Sequence, residues 1–137
     1  MKKLIASMLS AVMLIMSINC TAFARSHQDS YFDFYVGPGI ENHSDFRLKE
    51  DDSPVYVYLF NGGPAYVDFC VINTAFVIQN SGTGIARIYA GTERLIHTHV
   101  YENGYSYCAL GSSDNDCSGY AVGAWSPDSV GSYPFAN

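Results

Sequence analysis

The chain has 137 residues and a formal net charge of −6, with seven Lys and Arg against thirteen Asp and Glu. Nucleic acids and anionic surfaces are bound by clustered cations, so this charge balance argues against a nucleic-acid partner. The length suits one domain with a modest hydrophobic core.

Residues 1–24 have the pattern of a secretory signal peptide. Lys2 and Lys3 precede an apolar stretch at 4–18, and Ala22 and Ala24 are the small residues that a signal peptidase reads. We predict cleavage after Ala24, secretion of residues 25–137 and no stable membrane insertion afterwards, because the apolar run is shorter than the roughly 18–20 residues that span a bilayer. The alternative is a membrane-anchored lipoprotein retained through Cys20, although the residues before Cys20 lack the usual pattern of such signals.

The first strand is predicted at 31–36, where Phe32, Phe34 and Val36 alternate with polar or tyrosine side chains. A charged connection follows at 40–54. The stretch 55–72 then has two runs of β-branched and aromatic residues around Asn61-Gly62-Gly63-Pro64, which predicts a hairpin. Because both faces of these two runs are apolar or aromatic, we expect them to form central strands that are covered on both sides.

Further strands are predicted at 75–79, 85–90, 95–101, 105–110 and 119–125, with turns at 91–94 and 102–104. The tail at 126–135 is rich in turn residues, and we expect it to dock partly, with its last residues frayed. No segment keeps the 3.6-residue period of an amphipathic helix. The fold class is therefore all-β, a small antiparallel β-sandwich of about seven to eight short strands.

Cleavage after Ala24 would leave three cysteines. Cys108 and Cys117 bracket an eight-residue loop, and we predict a disulfide between them, worth about 2.5 to 3 kcal/mol by loop closure. Cys70 lies in the predicted core, where a free cysteine behaves as a small hydrophobic residue. Pairing of Cys70 with either of the others stays open, because connectivity cannot be read from spacing.

His97 and His99 are the candidate metal ligands. Side chains two apart on a strand share a face, so both imidazoles could contact one zinc or copper ion. The sequence offers no third ligand at a telling distance, and the alternative is that both histidines face water. Catalytic and cofactor-binding motifs are missing from the sequence, so we predict no enzyme activity and no cofactor.

The tyrosines suggest a binding surface. Four of them lie on predicted strand faces opposite the aliphatic residues: Tyr56, Tyr58, Tyr105 and Tyr107. Exposed rows of rigid, amphipathic rings can bind glycans or proteins. The alternative is that the rings pair across strands and only stabilise the sheets.

Four short segments carry a resemblance: Tyr31-Phe32-x-Phe34, Ser53-Pro54-Val55-Tyr56-Val57, Cys108-Ala109-Leu110-Gly111 and Gly123-Ala124-Trp125-Ser126. With them the chain resembles a family of small secreted Gram-positive bacterial proteins, a domain of unknown function. This resemblance implies secretion and one β domain. More distantly, the chain looks like the lactococcin 972 type of bacteriocin, with which it shares no motif residue by residue.

Together these observations predict a secreted, non-enzymatic β-sandwich protein that binds a partner at or outside the cell surface. The sequence does not identify that partner. The alternative function is that of a bacteriocin-like antimicrobial or toxin protein.

Overall fold

The computed structural model describes residues 27–82 and 84–137. The predicted signal peptide at 1–24, its cleavage after Ala24 and the lipoprotein alternative at Cys20 lie outside these residues. Eight strands form in chain order: β1 Ser30–Val36, β2 Arg47–Leu48, β3 Val55–Leu59, β4 Tyr66–Asn73, β5 Ala86–Tyr89, β6 Thr92–Ile96, β7 Tyr107–Ser112 and β8 Gly119–Ser126. In the described residues, no helix is long and apolar enough to cross a membrane.

The strands build two antiparallel sheets of four. The first sheet has the order β1-β8-β3-β6, and the second has the order β2-β7-β4-β5. One hydrophobic core draws side chains from both sheets, which confirms the predicted all-β sandwich. Phe32 of the first sheet meets Phe69 of the second edge to face, with 5.6 Å between ring centroids.

Side chains alternate between the inner and the outer face along each strand, and the inward ones build this core. Phe32, Phe34 and Val36 of β1 are buried, as their spacing predicts. Trp125 of β8 is almost fully buried, and the Arg47 guanidinium lies 5.6 Å from its ring centroid. Gly123, two residues earlier, makes room for Phe32, since a Cβ atom there would lie only 2.6 Å from the Phe32 ring.

The predicted hairpin at 55–72 is wrong, although both of its strands exist. β3 pairs with β6 and β8, whereas β4 pairs with β5 and β7, so the two strands lie in opposite sheets. The connection at 60–65 is longer than the usual hairpin loop and carries the chain across the core. Both strands are central in their sheets, as their doubly apolar pattern predicted.

The same crossing occurs at two other predicted turns. The predicted turn at 91–94 overlaps the start of β6, and the connection that leads from β5 in the second sheet to β6 in the first is only residues 90–91. The residues at 102–104 form a turn between β6 and β7, which also lie in opposite sheets. Among the named strands, only β4 and β5 are consecutive in the chain and paired with each other. Turn propensity located these bends, but it carries no information on which sheet the chain enters next.

The predicted strand at 75–79 is a loop. Phe76 has a φ of 60°, a left-handed conformation that a strand cannot contain. Asn73 holds this loop, since its Oδ1 accepts hydrogen bonds from the amides of Ala75 at 2.9 Å and Val77 at 3.0 Å. The apolar residues that suggested a strand, Phe76, Val77 and Ile78, are instead exposed.

The end of the tail is docked on β6. The amide of Leu95 donates to Pro134 O, and the amide of Ala136 donates to Leu95 O, both at 2.9 Å, so the tail runs along the outer edge of β6. Earlier in the tail, Asp128 is fully buried and pairs with Lys49 at 2.5 Å. Residues 130–132 are exposed, so the docking is partial as expected, but the last residues are held by hydrogen bonds to β6 and the expected fraying is wrong.

Candidate functional site

The outer face of the first sheet exposes several aromatic side chains. Tyr31 and Tyr35 of β1 point outward because they alternate with the buried Phe32, Phe34 and Val36. Tyr120 of β8 and Tyr58 of β3 face the same way, and Phe60 follows directly after β3. We call this surface the aromatic face: Tyr31, Tyr35, Tyr58, Phe60 and Tyr120.

The rings form two clusters. In the first, Phe60 contacts Tyr58 at 4.9 Å and Tyr31 at 6.1 Å between ring centroids. Tyr31 and Tyr58 are both register partners of Ala124 on the strand between them. Since alanine is small, rings from β1 and β3 approach each other over it.

The second cluster is the pair Tyr35 and Tyr120, whose ring centroids lie 5.4 Å apart in an edge-to-face arrangement. These two residues are direct register partners. Tyr35 lies four positions after Tyr31, which corresponds to about 13 Å along the strand. The aromatic face is therefore elongated along β1, with Asp33 between its two clusters.

Acidic groups accompany the rings. Asp33 points outward between Tyr31 and Tyr35, and Glu93 is the register partner of Tyr58 on β6. The Tyr56 hydroxyl donates to Glu93 Oε1 at 2.6 Å. Burial, together with this hydrogen bond, raises the pKa of Tyr56 far above its ordinary value.

The structure divides the four tyrosines that the sequence predicted as one surface. Tyr58 belongs to the aromatic face, but Tyr56 is buried, with Tyr133 of the tail at 5.0 Å between ring centroids. Tyr107 lies on β7 in the second sheet, and Tyr105 precedes that strand. The prediction of a single surface from these residues is therefore wrong, because the second pair is on the other layer of the sandwich.

Of the four tyrosines of the aromatic face, three were not selected from the sequence: Tyr31, Tyr35 and Tyr120. The outward alternation of Tyr31 and Tyr35 was visible in the first strand. Their neighbour Tyr120 was not visible, because the pairing of β1 with β8 joins residues about 90 positions apart.

The two candidate metal ligands have other partners. His97 stacks on Phe135 of the tail at 3.8 Å between ring centroids, and His99 Nε2 lies 3.0 Å from the Ser81 hydroxyl. Both histidines are exposed, whereas Ile96, Thr98 and Val100 are buried, as the alternative described. Within residues 27–82 and 84–137, no group of three His, Cys, Asp or Glu side chains is placed to hold a metal ion.

The predicted Cys108–Cys117 disulfide is not formed, and Cys70, Cys108 and Cys117 are all free thiols. Cys108 is buried opposite Asn73, near the end of β4. Cys117 instead forms a hydrogen bond with Tyr66 at the beginning of β4, and this bond raises the pKa of Tyr66. Seven residues of strand correspond to about 23 Å, and a disulfide needs Cα atoms within about 7 Å.

The outer face of the second sheet differs from the aromatic face because two loops, at 41–46 and 74–80, cover part of it. A small second core there contains Cys70, Ile72 and Ala109, with Phe46 packed against it. The rings of His43, Phe46 and Phe76 meet at 5.4 to 5.8 Å between centroids. A groove of about 300 Å³ remains between these loops. We call this surface the covered face.

The uncovered part of that sheet carries an ion pair beside the rings of Tyr66 and Tyr89. Arg87 donates two hydrogen bonds to the Asp68 carboxylate, both at 2.7 Å, and its guanidinium lies 4.1 Å from the Tyr66 ring centroid. This pairing raises the pKa of Arg87. The negative charge of Asp68 is thus balanced by Arg87, and the pair has a structural role in the sheet.

One comparison with known proteins identifies a relationship. A family model described as "Protein of unknown function (DUF2712)" matches residues 20–129. No curated protein and no solved structure matches the chain. The bacteriocin likeness finds no support in these comparisons.

Proposed function

The chain belongs to the DUF2712 family, whose function is unknown, and we propose that it is a secreted, non-enzymatic protein that binds a partner at or outside the cell surface. We further propose that the aromatic face is its binding surface. The signal-peptide pattern of residues 1–24 and the lack of catalytic motifs support this proposal.

One observation carries the proposal: the aromatic face exposes large rings that the core does not need. Tyr31 is 67% exposed and Tyr120 is 63% exposed, and both lie on one sheet face with Tyr35. Tyrosine is enriched in binding surfaces because its ring offers rigid, amphipathic contact area at a low entropy cost. Nothing in residues 27–82 and 84–137 covers these rings as the tail covers Tyr56.

The test is co-sedimentation of purified residues 25–137 with cell envelopes of the producing bacterium. We expect the protein to sediment with the envelopes, and the triple variant Tyr31→Ser, Tyr35→Ser, Tyr120→Ser to stay in solution. The matched control is Tyr89→Ser, Tyr101→Ser, Tyr107→Ser, which removes three tyrosines of similar exposure from elsewhere. Equal sedimentation of the two triple variants would refute the aromatic face as the binding surface.

The same purified protein tests the alternative function. If the protein acts only by binding, it leaves the growth of related bacteria unchanged at micromolar concentration. Growth inhibition would instead favour the bacteriocin-like function.

A further inference from the structure

The shape of the aromatic face restricts its ligand. The two ring clusters are about 13 Å apart along β1, since Tyr31 and Tyr35 are four strand positions apart. A molecule that stacks on both clusters must be longer than one sugar ring and must lie extended along the strand. Hot spots between proteins have a different layout, with one desolvated anchor cluster near the centre of the contact.

The charges of the face restrict the ligand further. Asp33 lies between the clusters, Glu93 lies beside Tyr58, and the side chains that form the face include no cation. The chain as a whole carries a net charge of −6. Anionic polymers would therefore be repelled, which argues against nucleic acids and against acidic wall polymers.

The remaining chemistry fits a hydroxyl-rich ligand. The faces of aromatic rings attract C–H groups, such as those on the flat side of a pyranose ring, because their π-systems are negative. The tyrosine hydroxyls and the Asp33 carboxylate can accept hydrogen bonds from sugar hydroxyls at positions between the rings. An extended neutral glycan presents both kinds of group along its length.

We infer that the aromatic face binds a neutral, extended polysaccharide, with rings of the cluster Tyr31, Tyr58 and Phe60 contacting one part of the chain and rings of the pair Tyr35 and Tyr120 contacting another. Asp33 accepts hydrogen bonds from hydroxyls between these two parts. This inference rests on the proposed function, because it names the ligand class of the same surface.

The first experiment measures the affinity of residues 25–137 for three probes by calorimetry. The probes are a six-sugar and a two-sugar oligosaccharide of β-1,4-linked N-acetylglucosamine, together with soluble polygalacturonate as the anionic chain. We expect the six-sugar probe to bind at least about tenfold more tightly than the two-sugar probe, because only the longer one reaches both clusters. We expect no binding of polygalacturonate. Equal affinities for the two lengths, or preference for the anionic chain, would overturn the inference.

Single substitutions test which side chains contact the oligosaccharide. Tyr120→Ser should reduce the affinity for the six-sugar probe to that for the two-sugar probe, whereas Tyr107→Ser on the second sheet should leave it unchanged. Asp33→Asn should reduce the repulsion of polygalacturonate while keeping both ring clusters. If Tyr107→Ser weakened binding as much as Tyr120→Ser, the glycan site would not be the aromatic face.

The second experiment separates this inference from the proposed function. Envelopes are digested either with glycan hydrolases or with protease before sedimentation. Loss of binding after glycan digestion supports the inference. Loss after protease only, with dependence on Tyr31, Tyr35 and Tyr120 retained, overturns the glycan ligand and leaves the proposed function intact. Binding that does not depend on these tyrosines refutes the proposed function itself.

Discussion

The two outer faces of the sandwich differ in whether the side chains on their strands are covered by loops or exposed to solvent. On the covered face, Cys70 and Ile72 lie beneath two loops and form a small core with Ala109 and Phe46. On the aromatic face, Tyr31 and Tyr120 stand in solvent. Both faces belong to four-stranded sheets of the same sandwich, so the difference does not come from the fold.

This contrast separates side chains that stabilise the fold by burial from side chains that are exposed to solvent. Burial explains the apolar residues of the covered face, because the free energy gained there scales with the area removed from water. The same explanation fails for rings that are about two-thirds exposed. A cluster of exposed aromatic rings is typical of a binding surface. Substitutions on the two faces test this difference.

Ile72→Ala should have the largest effect on stability. Ile72 is only 8% exposed beneath the loops, so its truncation leaves a cavity and should cost about 2 to 4 kcal/mol of unfolding free energy. Urea denaturation measures this change. Ile78→Ala is the matched control, since Ile78 lies in one of the covering loops but is largely exposed, and its cost should be much smaller. Equal costs would show that the loops do not bury this face.

The thiols should react at very different rates. Burial raises the pKa of Cys70 to about 11 and that of Cys108 to about 12, whereas Cys117 is only half-buried. At pH 8 a rise of two units in pKa lowers the thiolate fraction of Cys70 about a hundredfold. Iodoacetamide labelling followed by mass spectrometry should therefore modify Cys117 first. Equal labelling rates without denaturant would contradict the buried positions of Cys70 and Cys108.

The same two pKa values predict how stability depends on pH. A thiol whose pKa is raised in the folded state stays protonated there while the unfolded chain ionises above its ordinary value near 9. The contribution of these thiols is therefore fully present below pH 9 and is lost as the pH rises from 9 through about 11 for Cys70 and about 12 for Cys108. Cys70→Ala should make this decrease smaller in urea titrations at pH 8 and pH 10.

Tyr133→Ala should have a moderate effect, because it removes the ring that covers Tyr56. The loss of this aromatic pair should cost about 1 kcal/mol. Since burial contributes most to the raised pKa of Tyr56, exposure should lower that pKa, and ultraviolet titration of phenol ionisation measures the change. Tyr101→Ala, which removes an exposed tyrosine, is the control. An unchanged titration would mean that the tail does not bury Tyr56.

Tyr31→Ala and Tyr120→Ala should have the smallest effects on stability. Because both rings are largely exposed, each change should alter the free energy of unfolding by no more than about 0.5 kcal/mol. Urea denaturation is again the measurement. A cost well above 1 kcal/mol would support the alternative from the sequence, in which the rings exist for cross-strand pairing.

Much of the fold could be predicted from alternation. Phe32, Phe34 and Val36 were assigned correctly to the core, and the doubly apolar runs at 55–59 and 66–72 were correctly expected to be central strands. The partners of those strands could not be predicted. A local turn signal such as Asn61-Gly62-Gly63-Pro64 fits a hairpin and a crossing between sheets equally well, and only the non-local pairings decide between them.

The candidate site was harder to predict for the same reason. Tyr58 was selected, but Tyr31 and Tyr120 come from opposite ends of the described chain, and the pairing of β8 with β1 and β3 places all three on one face. The apolar residues at 76–78 suggested a strand. Their sequence does not reveal the left-handed backbone of Phe76, which excludes one. The disulfide prediction failed because closeness of Cys108 and Cys117 in sequence is not closeness across a sheet.

The position of β8 has a consequence for biosynthesis. As the last strand in chain order, it supplies the hydrogen bonds that join β1 to β3 in the first sheet. A chain that emerges in the N-to-C direction from a ribosome or a membrane channel thus cannot close this sheet until residue 126 is free. Until then β1, among the first residues to emerge, has no partner strand. The first sheet can therefore close only after all four strands of the second sheet have emerged, since β7 ends at Ser112.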